Sequence, residues 1–127
     1  MNSVLVDTNI ILRFLLRDDE KLFFVANSIF SNAEHGNIKI YIDELVVAEA
    51  IWTLTSFYKQ DKKEIFDLML KLVSRKWIVN PRKKLILNSL KLCLDSNLSY
   101  IDSWVFEVSK ANKYKLETFD KDLNKQA

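Results

Sequence analysis

Apolar residues in this chain follow two rhythms. Short stretches of strand length, unbroken or alternating, lie at residues 3–6 (Ser-Val-Leu-Val), 38–42 (Ile-Lys-Ile-Tyr-Ile) and 77–79 (Trp-Ile-Val), and a short fourth strand is predicted at residues 115–118. Between them apolar positions recur every three or four residues, which predicts helices over residues 9–17 and 21–34. Asp43 is placed to cap a helix reaching about residue 59, and Asp61 with Glu64 has the spacing of a capping box that opens the next. A helix is predicted from Arg82 to about Ser96. Another runs from the Ser99-Tyr100-Ile101-Asp102 start to about Asn112, and a last turn of helix falls within residues 119–125. Gly36-Asn37 and Asn80-Pro81 supply turn signals. Strands that alternate with helices predict an α/β fold whose mainly parallel sheet of about four short strands carries helices on both faces.

Composition narrows the class. A chain of 127 residues, 49% of them hydrophobic, fits one domain over residues 1–127 and can build a core. One Gly and one Pro exclude sandwiches and barrels, which need frequent turn residues. A single cysteine, Cys93, and a single histidine, His35, exclude an internal disulfide and thiolate or His-rich metal sites, and argue against a Ser-His-Asp triad. Cys93 falls in an apolar helix stretch as core filler, His35 in a surface turn, and Trp52, Trp77 and Trp104 at spacings that suit packing. No apolar run approaches membrane-spanning length and MNSVLV has no basic leader, so a soluble cytoplasmic protein is expected, with no membrane partner. The net charge of +2 conceals an asymmetry: residues 1–60 hold five basic and eight acidic side chains, residues 61–127 fourteen and nine.

Most acids lie where solvent is expected. Asp18, Asp19 and Glu20 form an acidic turn, Asp61 and Glu64 cap a helix, and Asp67 and Asp95 fall on polar helix faces. Four do not. Asp7 follows the first strand, at the carboxyl end where open α/β sheets place ligands. Glu49 lies within Leu45-Val46-Val47-Ala48-Glu49-Ala50-Ile51-Trp52, accompanied only by a polar strip of Thr53, Ser56 and Gln60. Asp102 shares a helix side with Val105 and Phe106, opposite Ser103, Glu107 and Lys110, and Asp120 follows the last predicted strand. Each has a plain structural reading as well. Asp7 would cap the helix after it, Glu49 would pair with Arg13 or Arg17, Asp102 would complete the Ser99 capping box, and Asp120 and Asp122 would be solvated. Together the four acids suggest one pocket, because converging like charges need a cation to neutralise them. All-oxygen ligands suit Mg²⁺ or Mn²⁺, one ion or two. No glycine-rich phosphate loop is present, which excludes a P-loop nucleotide triphosphatase.

Val6-Asp7-Thr8-Asn9-Ile10 with Arg13, Glu49 in an apolar helix, Tyr100-Ile101-Asp102 and Thr118-Phe119-Asp120-Lys121-Asp122 resemble, in order and spacing, the PIN-domain nucleases. Within them the chain looks most like the VapC-type toxins of prokaryotic toxin–antitoxin pairs. The resemblance implies a three-layer α/β/α fold with an acidic pocket at the strand ends, and Mg²⁺- or Mn²⁺-dependent endonucleolytic cleavage of RNA. It makes Asp7, Glu49, Asp102 and Asp120 the acidic quartet, with Asp122 a fifth member. Thr8, Asn9 and Thr118 become the polar residues that orient those acids. It also implies a cognate antitoxin and a homodimer. Family members continue past the Thr-Phe-Asp segment to a last short strand, whereas this chain stops at Lys125-Gln126-Ala127. Arg82, Lys83, Lys84, Lys110, Lys113 and Lys115 are the cations expected to track an RNA backbone, or else simply to keep the surface soluble. Two rival readings remain. One is a catalytically silent relative that binds RNA or a partner. The other, a phosphoacceptor receiver module, lacks both the second acid after the first strand and an aspartate ending the third.

Overall fold

The computed structural model describes residues 2–126. Strand β1 (Asn2–Leu5) leads into α1 (Thr8–Leu16) and α2 (Glu20–Glu34). After β2 (Ile38–Tyr41) comes α3 (Glu44–Trp52), which widens without a break into a π-helical turn at Thr53–Phe57. Then follow α4 (Lys62–Val73), β3 (Ile78–Val79), α5 (Lys83–Asp95), α6 (Tyr100–Asn112) and α7 (Lys121–Gln126). The sheet order is β1-β2-β3 and both pairings are parallel, with Val4 opposite Ile40 and Ile40 opposite Ile78. Parallel strands of two to four residues hold only when both faces are covered. Here Ile40 and Ile78 are buried in a core with Ile11 of α1, Val47 of α3, Met69 of α4 and Leu90 of α5, as an α/β/α arrangement requires.

The caps explain where the helices start. Asp7, Asp43, Asp61 and Ser99 each accept a hydrogen bond from a backbone N–H of the first turn they open, and so do Asp19 at α2 and Asp120 at α7. Gly36 takes a left-handed φ of +84° in the turn before β2, and left-handed Arg17 and Lys113 end α1 and α6. Lys63 Nζ closes the other end of α5, donating to the carbonyls of Cys93, Leu94 and Ser96.

Three expectations are corrected. The fourth strand does not form among the described residues: the sheet has three strands, and residues 115–118 have no strand pairing. Only Leu116 there is apolar, Lys115 and Glu117 form an exposed ion pair, and the Thr118 carbonyl is bound by Asn124 of α7. The buried side of α6 is Tyr100, Ser103 and Glu107, not the side of Val105. Ser103 accepts a bond from the buried Cys93 thiol, and Lys110 lies 3.7 Å from the Glu107 carboxylate. Trp77 and Trp104 pack against the core, but Trp52 is 64% exposed.

Candidate functional site

Asp7 and Glu49 meet at the carboxyl ends of the strands. Asp7 ends the extended segment that continues β1, with φ −92° and ψ 178°. Its Oδ1 accepts from the Ile10 N–H at 3.2 Å, which fixes the side chain over the first turn of α1. Helix α3, started by Asp43 immediately after β2, packs against α1 and carries Glu49 to the same place. Asp7, Thr8, Asn9, Glu49 and Thr53 line an open cavity of about 380 Å³ floored by Leu12 and Val46. Thr8 and Asn9, expected to support the acids, are therefore in the pocket wall. Thr53 belongs to the polar strip read beside Glu49, whereas Ser56 of that strip faces a different cleft.

The expected pairing of Glu49 with arginine is absent. Arg13 Nη1 lies 2.8 Å from both carboxylate oxygens of Asp18, and its Nη2 donates to the Tyr58 hydroxyl at 3.2 Å. Arg17 stacks over Phe23, 4.7 Å from the ring centre. Among the described residues, neither Asp7, Glu49, Asp102 nor Asp120 has a lysine or arginine within ion-pair distance. Two unneutralised carboxylates on one pocket wall repel, and a cation bound between them removes that repulsion.

Asp102 and Asp120 are not among the residues that line this pocket. Asp102 lies half-buried in the first turn of α6, with its N–H bonded to Ser99 Oγ at 3.1 Å. The reciprocal bond of a capping box is not made, so the carboxylate is not held by Ser99. Asp120 is exposed, its Oδ1 accepting from the Leu123 N–H while its own N–H donates to Thr118 Oγ1. Thr118 thus contacts the Asp120 backbone and not its carboxylate, and Asp122 is exposed in the first turn of α7. Among the described residues, no three His, Cys, Asp or Glu side chains converge closely enough to hold a metal ion. The donor chemistry suits Mg²⁺ or Mn²⁺, since Asp7 and Glu49 offer oxygen only, yet the pocket joins two of the four acids.

The basic residues divide. Arg82 is paired to Glu44 at 2.9 Å and stacks over Trp104. Lys83 donates to the carbonyls of Arg75 and Ile78, and burial pushes its ammonium pKa down. Lys110 and Lys115 have acidic partners. Lys84 and Lys113 have no ion pair among the described residues and project from α5 and from the end of α6.

A polar junction behind the pocket escaped the sequence reading. Asn80 donates to the Ile42 carbonyl and to Glu44 Oε1, and its own Oδ1 accepts from the Arg82 N–H. This junction ties the start of α3 to the end of β3. Burial alone would raise the Glu44 pKa, but the hydrogen bond from Asn80, its own backbone N–H and the charge of Arg82 outweigh it and hold the carboxyl below its ordinary value. The signal available was the Asn80-Pro81 turn, which marks a strand end without saying where the amide points.

No helix among the described residues is long and apolar enough to cross a membrane. Comparison with curated proteins and with solved structures returns no match. The PIN domain family does match, over residues 4–127, and PIN domains are in general nucleases. An acid at the end of the first parallel strand faces a glutamate from the helix after the second, within a match spanning almost the whole length, and the chain belongs to the PIN-domain family.

Proposed function

We propose that this protein is a divalent-metal-dependent endoribonuclease and the toxin component of a type II toxin–antitoxin pair. The observation that carries the reading is the shared pocket of Asp7 and Glu49, two carboxylates without a basic partner at the carboxyl ends of parallel strands. Asp7, Asp102 and Asp120 are the proposed holders of one or two Mg²⁺ or Mn²⁺ ions, joined by Glu49 or Asp122. The metal, when bound, acidifies water and neutralises charge on a phosphodiester. Thr8, Asn9 and Thr118 support the acids, and Glu49 completes the ligand set or positions the attacking water. Lys84 and Lys113 remain available to phosphates. The proposed protein contacts, an antitoxin and a second copy, find a suitable surface on α2, where Leu22 and Val25 are exposed one turn apart above half-buried Ile29.

A second reading, a silent RNA- or partner-binding module, is favoured by one observation: Asp102 and Asp120 do not line the Asp7–Glu49 pocket. Thermal unfolding in EDTA and along a Mn²⁺ titration separates the two. A ligand that binds the native state at a hundredfold excess over its Kd adds about 2.7 kcal/mol of stability. A Mn²⁺-dependent rise in wild type that disappears in Asp102→Asn, together with Mn²⁺-dependent RNA cleavage, supports the nuclease. No shift in wild type at millimolar Mn²⁺ overturns it and leaves the silent module.

A further inference from the structure

The indole of Trp52 is an aromatic surface facing solvent, one helical turn from Glu49. It forms one wall of a second cleft, about 400 Å³, which opens between the end of α3 and the loop joining α5 to α6. Ala48, Ile51, Phe66 and Ile101 give this cleft an apolar lining, and Ser56 and Lys62 edge it. Its charge is one-sided. Lys62 and Lys63 line the cleft and no Asp or Glu does. Lys63 is engaged with the carbonyls that end α5, whereas Lys62 has no ion pair among the described residues. A tryptophan three positions beyond Glu49 sits about 4.5 Å further along the helix axis and turned about 60° around it. The acidic pocket and the cationic aromatic cleft therefore lie on neighbouring faces of the same helix.

Granting the ribonuclease reading, on which this subsite depends, we infer that Trp52 stacks an unpaired base of the RNA substrate while Lys62 meets a neighbouring phosphate. A cleft with an exposed aromatic ring, cations and no carboxylate is complementary to single-stranded nucleic acid, whose bases stack on any flat ring and whose backbone is anionic. An apolar protein surface would use the ring equally well but has no need of the unpaired lysine. A stacked base beside Glu49 places the adjoining backbone at the acidic pocket, which makes the subsite selective for looped or single-stranded RNA over continuous duplex.

The test is binding of a fluorescein-labelled single strand of about 12 nucleotides, followed by anisotropy in EDTA so that no hydrolysis occurs, with a hairpin duplex for comparison. Wild type is expected to prefer the single strand. Trp52→Ala is expected to weaken binding about tenfold or more, and Trp52→Phe by much less. Lys62→Ala is expected to lower the slope of log affinity against log salt by about 0.7. Circular dichroism and sedimentation accompany each variant. Single-strand binding that is equal in wild type and Trp52→Ala overturns the subsite and leaves the nuclease reading standing. Failure of wild type to bind any RNA overturns both. A changed sedimentation coefficient in Trp52→Ala at unchanged RNA affinity overturns the subsite in favour of a protein contact at this face.

Discussion

Arg13 Nη1 lies 2.8 Å from each carboxylate oxygen of Asp18, while Glu49 has no lysine or arginine within ion-pair distance among the described residues. The same guanidinium reaches Tyr58, just past the π-helical turn, so one side chain ties the end of α1 to the segment that follows Glu49. The Tyr58 hydrogen bond, ahead of the Asp18 charge, raises the Arg13 pKa. Only 16% of the side chain is exposed. A charge-assisted bond from such a site is worth about 2 kcal/mol. Arg13→Ala is therefore expected to lower the urea-unfolding stability by roughly that much, and Tyr58→Phe by roughly 1 kcal/mol. The double variant should fall short of the sum, because both remove the same bond. Strict additivity would mean the two residues act independently.

Asp7 has two duties that substitution separates. As an N-cap it satisfies the Ile10 N–H, and asparagine caps nearly as well as aspartate. As an acid it faces Glu49 across the pocket. Asp7→Asn is expected to stay within about 0.5 kcal/mol of wild type while losing Mn²⁺-dependent RNA cleavage, and Asp7→Ala to lose cleavage and about 1 kcal/mol of stability as well. Melting curves and a cleavage assay on the same preparations check both. Cleavage that survives Asp7→Asn removes this acid from the chemistry.

The caps and the strand–helix alternation were legible because each depends on a few neighbouring residues. Asp43, Asp61 and Ser99 act as the caps their positions predict, and Asp7 takes the capping role that is the plain reading of its place after a strand. What was not legible depends on which side of a helix meets the core. The acid Asp102 and the apolar Val105 and Phe106 suggested one inward face for α6, but its inner side is built from Tyr100, Ser103 and Glu107. Ser103 fits there because the Cys93 thiol bonds it, and that partner is ten residues away in α5. Trp52 has a spacing that suits packing yet faces solvent, and residues 115–118 hold a single apolar residue, Leu116, too little to anchor a strand. That Asp7 and Glu49 share a pocket was legible from a strand end and from the polar company of an acid in an apolar helix. Where Asp102 and Asp120 stand follows from how α6 and α7 pack, which local pattern does not encode.

Glu44 carries a pH dependence whose sign is fixed by its neighbours. Its folded pKa lies below its unfolded value of about 4.5, since Asn80 and Arg82 prefer the carboxylate despite the burial. The resulting stability is present above the unfolded pKa and is lost as pH falls through the folded one. Wild type is expected to exceed Glu44→Gln in urea-unfolding stability near neutral pH, with the gap closing on acidification below about pH 4. A gap that stays constant or widens in acid would show that Arg82 and Asn80 do not stabilise the charged form.

Tyr100 is the one buried aromatic whose hydroxyl works against the fold. The residue is 4% exposed, and among the described residues no group bonds its oxygen. Burial raises its pKa, with Cys93 and Glu44 adding to the effect. Desolvating a hydroxyl without giving it a partner costs about 1–3 kcal/mol. Phenylalanine keeps the ring, its contacts with the core and the α6 start that Ser99 caps. Tyr100→Phe is accordingly expected to raise stability by roughly 1 kcal/mol, or Tm by about 4 °C for a domain of this size. Tyr100→Leu, which loses the ring as well, should melt below wild type. A Tyr100→Phe protein that melts lower than wild type would mean that the hydroxyl does hold a partner.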